Sequence, residues 1–220
     1  MHIIYVRGGD KSAPDIAFRS GMLYGTRNDY KAYASVFMID IQWKRYIWHK
    51  YLTCVESYAP VLAMAPDYLD SGQKALLYSQ IADLERLGVP EIMVCPKFEG
   101  AVFDIPERCI VAISVPSNYA GYLPDFRHLR GRRVHLLGGK PELQAKIIVR
   151  LTGAGAHVFS VDGSYHAVKA GFGQWFNGHK WVDVRRRGVS SAELAVASGC
   201  NIVKYLNAAY ERSQPSLGLE

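Results

Sequence analysis

The chain is poor in cysteine and shows no pattern among the few it has. Cys54, Cys95, Cys109 and Cys200 are spread through 220 residues with no C-x-x-C pair. That spacing excludes a zinc knuckle and a disulfide scaffold, and it points to a reduced, cytoplasmic protein. No H-x-x-x-H or H-x-H spacing supports a metal site, so neither a metal nor a cofactor is expected. Long hydrophobic runs are missing as well. The apolar stretches are short and broken by Pro, Gly or charge, which argues against a membrane span. The opening residues MHIIYVRGGD carry too short an apolar run for a signal peptide and lack a small-residue cleavage site. There is no internal repeat, no low-complexity linker and no recognisable RNA- or DNA-binding module.

What remains is a folding composition. Hydrophobic residues make up 49% and charged residues 21%, which excludes intrinsic disorder. Lys and Arg outnumber Asp and Glu by 26 to 20, giving a formal charge of +6. Part of the excess is local, in one cluster of Arg130, Arg132 and Arg133 and another of Arg185, Arg186 and Arg187. Each cluster suits either a polyanionic partner or a solvated loop.

Short β-branched runs alternate with amphipathic stretches. Strands are expected at His2–Val6, Val36–Ile41, Val61–Ala65, Glu91–Cys95, Cys109–Val115, Arg133–Leu137 and His157–Val161. Between them, Gln73–Leu87 gathers Leu76, Leu77, Ile81, Leu84 and Leu87 on one helical face, and Gly88 and Pro90 stop it. Pro141–Leu151 begins with Pro in its first turn and ends before Gly153. Ser190–Arg212 reads as a long helix opened by a capping box, Ser190 with Glu193. Residues 213–220 read as a tail, leaving 1–212 as a single domain. This alternation means a parallel α/β sheet. An eighth strand at Lys180–Val184 would close a compact or partly degenerate TIM-type (β/α)8 barrel, short against the usual length of about 250 residues. The region Ser12–Ala34 reads as irregular or partly helical.

In a parallel α/β fold the chemistry sits just past the C-terminal ends of strands. That rule selects Asp40, Asp67, Lys97, Ser114, the pair Gly138-Gly139, and Asp162. Adjacent glycines let a flat ligand approach the backbone or simply make a turn. A carboxylate such as Asp162 serves as nucleophile, base or helix cap. Asp70 competes with Asp67, since Asp-x-x-Asp near a helix start is often capping. His135 lies within a strand and reads as a core histidine. His166, four residues past Asp162, lies closer to the rim, as does Lys169 in the aromatic stretch Tyr165–Trp181.

The strand-turn HLLGGKPELQ, followed about twenty residues on by VFSVDG and a basic, glycine-containing stretch, resembles the C-terminal motif pair of tRNA-guanine transglycosylases. The likeness is closer to phage-encoded relatives that insert 7-deazaguanines into DNA. VLAMAPDYLDSG, EIMVCPKFEGAVFDIP and VAISVPSNYAGY also look like that group, so the resemblance runs from about Val61 to Trp181. Two departures matter. The zinc-binding cysteine cluster of the tRNA enzymes is missing, along with the zinc subdomain it builds. And where those enzymes read M-F-D-C, this chain reads Val158-Phe159-Ser160-Val161-Asp162, with Ser160 in the nucleophile's slot. A two-residue shift keeps a strand side chain on the same face, so Asp162 still points into the mouth.

The resemblance implies a TIM barrel that exchanges guanine in DNA, rather than RNA, for a 7-deazaguanine such as preQ0 through a covalent aspartyl-glycosyl intermediate. It implies Asp162 as nucleophile and Asp67 as base-edge recogniser or proton shuttle, with Asp40 as a third acidic candidate. Gly138 and Gly139 would contact the base through backbone amides, and Lys97 would position substrate or phosphate. Ser114 and His166 complete the expected substrate site. Arg130, Arg132, Arg133, Lys169 and Arg185–Arg187 would contact nucleic acid, and partner modification proteins are conceivable. Two other classes fit the same residues: a non-catalytic nucleic-acid-binding barrel serving a modification enzyme, and a nucleoside-hydrolase-like glycosidase.

Overall fold

The computed structural model describes residues 1–42, 44–116, 122–184 and 188–214. Eight parallel strands close into a barrel in chain order. They are β1 (His2–Val6), β2 (Leu23–Arg27), β3 (Met38–Asp40), β4 (Leu62–Met64), β5 (Glu91–Val94), β6 (Ile110–Ser114), β7 (Arg133–Leu137) and β8 (His157–Asp162). Helices α1 (Ala13–Arg19), α2 (Trp48–Tyr58), α3 (Lys74–Arg86), α4 (Ala101–Asp104) and α5 (Pro141–Gly153) lie between strands. Helices α6 (Tyr165–Gly171) and α7 (Ser191–Ser213) follow β8. The barrel is lean because β2 runs to β3 without a helix and, among the described residues between β6 and β7, the one helical element is the 3-10 turn Phe126–Leu129. Among the described residues no helix is long and apolar enough to cross a membrane.

The expected eighth strand is misplaced. Lys180–Val184 contributes β10 (Trp181–Asp183), which pairs antiparallel with β9 (Gln174–Phe176) outside the barrel. Asn177 turns this hairpin by accepting hydrogen bonds from the His179 and Lys180 amides, each at 3.0 Å. The closing strand is instead β2, inside the segment expected to be irregular. Its sequence LYGTR carries a glycine where a β-branched residue would announce a strand. Gly25 sits there because a Cβ would lie 2.9 Å from Val6 Cγ2 on the neighbouring strand. Tertiary closeness overrides local propensity at this position.

The capping box at the start of α7 forms as expected, with Ser190 and Glu193 satisfying each other's backbone amides. On α3 the buried stripe is Leu77, Gln80, Ile81 and Leu84, whereas Leu76 is 54% exposed. Strand alternation divides the core. Val6, Asp40, Met64, Ser114, Leu137 and Asp162 line the mouth. Two residues before them, Ile4, Met38, Leu62, Ala112, His135 and Ser160 fill the interior below. The alternate positions, among them Ile3, Tyr5, Ile39 and Ala63, pack outward beneath the helices.

Candidate active site

The C-terminal mouth of the barrel opens into a cavity of about 1020 Å³. Asp40, Asp67, Lys97, Ser114, Gly138, Gly139 and Asp162 all line it. Each comes from a different strand end, except for the glycine pair, and so the barrel alone converges residues far apart in sequence. Asp70 does not join them. It is exposed at the start of the 3-10 turn Ser71–Gln73, which identifies Asp67 as the carboxylate of this pair that faces the mouth.

Asp162 ends β8 and is 7% exposed. A bulge between β7 and β8 sets its phase. Val134 pairs with Val158 but His135 pairs with Ser160, so Phe159 is the extra residue. Past the bulge, Ser160 and Asp162 both face inward. Ser160 is fully enclosed and its Oγ lies 2.7 Å from His135 Nδ1. The serine in the nucleophile's slot is therefore below the mouth, while Asp162 reaches it. Asp162 Oδ1 accepts the Gly138 N–H, and Oδ2 lies 3.5 Å from His135 Nε2. Gln144 of α5 clamps the same corner, donating to the carbonyls of Gly138 and Asp162 at 2.7 Å each. The Gly138 amide expected to meet the base is thus engaged by Asp162. The Gly139 amide donates to no described residue.

Asp40 ends β3, with Oδ1 accepting from the Ile41 amide at 2.8 Å. Burial, then the nearby Asp162 charge, pushes its carboxyl up to about 7. Asp67 is raised too, first by burial, with the Lys97 ammonium opposing. Lys97 Nζ lies 3.3 Å from Asp67 Oδ2 and donates to Ser114 Oγ at 3.3 Å. Cys95 lies beneath this chain, its Sγ 3.7 Å from Ser114 Oγ, with its thiol raised by burial. The carboxylates spread around the rim: among the described residues no three His, Cys, Asp or Glu side chains are placed to share a metal ion.

His166 does not line this cavity. It is buried on α6 with its ring 4.8 Å from the Tyr5 ring, and burial followed by the Arg7 charge lowers it to about 4. In the first turn of α6, His166 is carried behind the barrel wall rather than over the mouth.

The first arginine cluster lies at the wrong end of the barrel, because it leads into the start of β7 instead of following its end. Arg132 donates to the carbonyls of Val102, Ile105 and Pro106. Arg133 pairs with Glu91 at 2.7 Å and donates to the Arg108 carbonyl. Both are structural ties across the N-terminal face, and Arg130 is exposed beside them. Lys169 does stand near the mouth, its Nζ 5.5 Å from the ring centre of the cavity-lining Tyr165. Arg185, Arg186 and Arg187 lie outside the described residues.

The model of a family of unknown function, DUF6610, matches residues 17–206. The chain belongs to that family. The match spans β2 to most of α7 and leaves β1 outside it. A comparison with curated proteins finds no match. The family brings no activity with it, so the site itself must carry the functional argument.

Several cavity residues were not anticipated from the sequence, chiefly Tyr46, Gln80 and Tyr165. Gln80 alone left a signal: a polar residue three past Leu77 and four before Leu84, on the buried stripe of α3.

Proposed function

We propose that this barrel exchanges a purine base at a deoxynucleotide in DNA, replacing guanine with a 7-deazaguanine of the preQ0 type. The observation that carries the reading is the pairing, at one mouth, of an anchored carboxylate with a carboxyl poised near neutrality, Asp162 with Asp40. Breaking an N-glycosidic bond needs both. Asp162 attacks C1′, the C1′–N9 bond breaks, and its electron pair leaves with the base, which takes a proton from Asp40. The incoming base then returns a proton to Asp40 and attacks C1′, releasing Asp162. Protons and electrons balance, and no oxidant or reductant enters. Each Asp162 oxygen has one lone pair occupied by Gly138 or facing His135, and one left for the sugar.

Our reading differs from the sequence expectation in one role. Asp67 is tied to Lys97, so this pair and Ser114 suit the sugar-phosphate side of the substrate, with Asp40 as the proton shuttle. The cavity's volume, at the top of the roughly 300–1,000 Å³ common for small-molecule sites, supports a nucleotide presented by a polymer. The resemblance of the motifs around Gly138 and Asp162 to DNA-modifying transglycosylases adds the base class.

The test is incorporation of labelled guanine or preQ0 into DNA, with and without partner modification proteins. Asp162→Ala abolishes incorporation and the covalent DNA adduct while leaving the fold intact. Absence of incorporation under every such condition removes the reading. Base release from a free nucleoside would replace it with the hydrolase class. Salt-dependent DNA binding indifferent to Asp162→Ala and Asp40→Asn, without exchange, would replace it with the binding class.

A further inference from the structure

The cavity extends past the strand ends, between the loop after β3 and the first turns of α3. Ile41 and Tyr46 line it from the loop, and Leu76, Leu77 and Gln80 from the helix. Lys44 on the same loop and Gln73 just before α3 line it as well, and among the lobe's polar side chains Gln80 is the buried one. Gln80 is 6% exposed, yet its carboxamide makes no hydrogen bond to any described residue. The other buried polar side chains behave differently. Gln144, Ser160, His135 and Ser198 all have partners within 3.0 Å. His166 lacks a hydrogen bond but packs its ring, tilted, against Tyr5. Gln80 is the one whose amide opens onto the cavity.

An amide that faces the cavity with no protein partner adds nothing to helix packing, because leucine at the same place would complete the stripe of Leu77, Ile81 and Leu84. A carboxamide presents an acceptor beside a donor. Its complement is a group with N–H next to C=O. The walls of leucine, isoleucine and tyrosine accept a flat, largely apolar body. We infer that the lobe is the base subsite and that Gln80 reads the lactam edge of an oxopurine, accepting from its ring N–H and donating to its carbonyl oxygen. This rests on the base-exchange reading for its place in the reaction. It leaves the Asp67–Lys97 pair to the sugar-phosphate side.

The experiment compares wild type, Gln80→Leu and Gln80→Glu in equilibrium dialysis against labelled guanine and 2-aminopurine. The second purine keeps the exocyclic amine but lacks the lactam. Wild type favours guanine by roughly tenfold or more. Gln80→Leu weakens guanine binding by about 10- to 100-fold, leaves 2-aminopurine unchanged, and melts roughly 2–4 °C higher. Gln80→Glu keeps the acceptor, loses the donor, and lowers guanine affinity without that gain. A purely structural glutamine would give lower melting temperatures and unchanged discrimination in both variants, which overturns the inference. So does a wild type that binds neither purine or fails to distinguish them. Failure of DNA base exchange with discrimination intact would overturn the reaction and keep the subsite. Exchange that proceeds with discrimination indifferent to Gln80 would do the reverse.

Discussion

His135 Nε2 lies 3.5 Å from Asp162 Oδ2, the histidine enclosed within the barrel and the carboxylate at the floor of its mouth. The other ring nitrogen, Nδ1, meets Ser160 Oγ at 2.7 Å. The Ser160 hydroxyl serves either tautomer, so the neighbouring carboxylate makes the choice: facing ionised Asp162, the ring that carries Nε2–H turns a donor toward it and leaves Nδ1 to accept from Ser160. The opposite tautomer would set two acceptors against each other in a low-dielectric interior. A line of polar groups beneath the mouth thus fixes the residue that reaches the substrate.

Ser160→Ala is expected to leave the barrel folded but less stable by about 1–2 kcal/mol, because His135 Nδ1 loses its only partner. Urea unfolding at constant pH measures this. His135→Gln keeps a donor toward Asp162 and is expected to retain more activity than His135→Leu at equal stability. Equal activity in both would show that His135 merely fills space.

Asp40 and His166 are expected to pull the pH dependence of stability in opposite directions. Asp40 titrates at about 7 in the folded chain against an ordinary value of 3.8, so between these the folded state holds the extra proton. Stability is then lost as pH rises from about 4 through 7. His166 titrates at about 4 against 6.5, so the unfolded chain holds the extra proton in that window. Stability is lost as pH falls from about 6.5 toward 4. The two slopes offset one another between about 4 and 6.5. Asp40→Asn is expected to gain stability over wild type with rising pH, by at most about 4 kcal/mol at pH 8. His166→Phe, which keeps the ring against Tyr5, is expected to gain over wild type as pH falls, by at most about 3 kcal/mol at pH 4. Parallel melting curves for wild type and either variant across pH 4–8 would refute the assignment.

Much of this site is legible in the sequence because a parallel barrel turns strand ends into mouth residues. Asp40, Asp67, Lys97, Ser114, Gly138, Gly139 and Asp162 follow from that one rule, and all line the cavity. What escaped depends on closeness in space. β2 hides behind Gly25, whose bareness answers Val6 on the next strand. Arg132 and Arg133 look like a polyanion footprint because sequence shows their charge and not the carbonyls and Glu91 that hold them. Gln80 needed the helix's true buried face, which turns away from Leu76 and Leu87. Asp40 carries little weight in the sequence because burial and then proximity to Asp162 raise it, and no local spacing reports either its enclosure or a neighbour 122 positions away.

The glycine pair after β7 offers a sharper contrast. Both residues have positive φ, +62° at Gly138 and +91° at Gly139. A Cβ on Gly138 meets nothing within 4 Å. Gly138→Ala therefore bears only the left-handed backbone penalty, about 1 kcal/mol, and keeps the N–H that anchors Asp162. A Cβ on Gly139 would lie 2.3 Å from Val115 Cγ1 and 2.6 Å from its Cβ. Val115 is buried, so the turn itself must shift. Gly139→Ala is expected to cost about 3 kcal/mol or more and to draw Gly138 N off Asp162 Oδ1. Thermal unfolding separates the two variants. Equal losses would mean that the turn gives way as a unit, and that the anchoring of Asp162 does not depend on close packing of Gly139 on Val115.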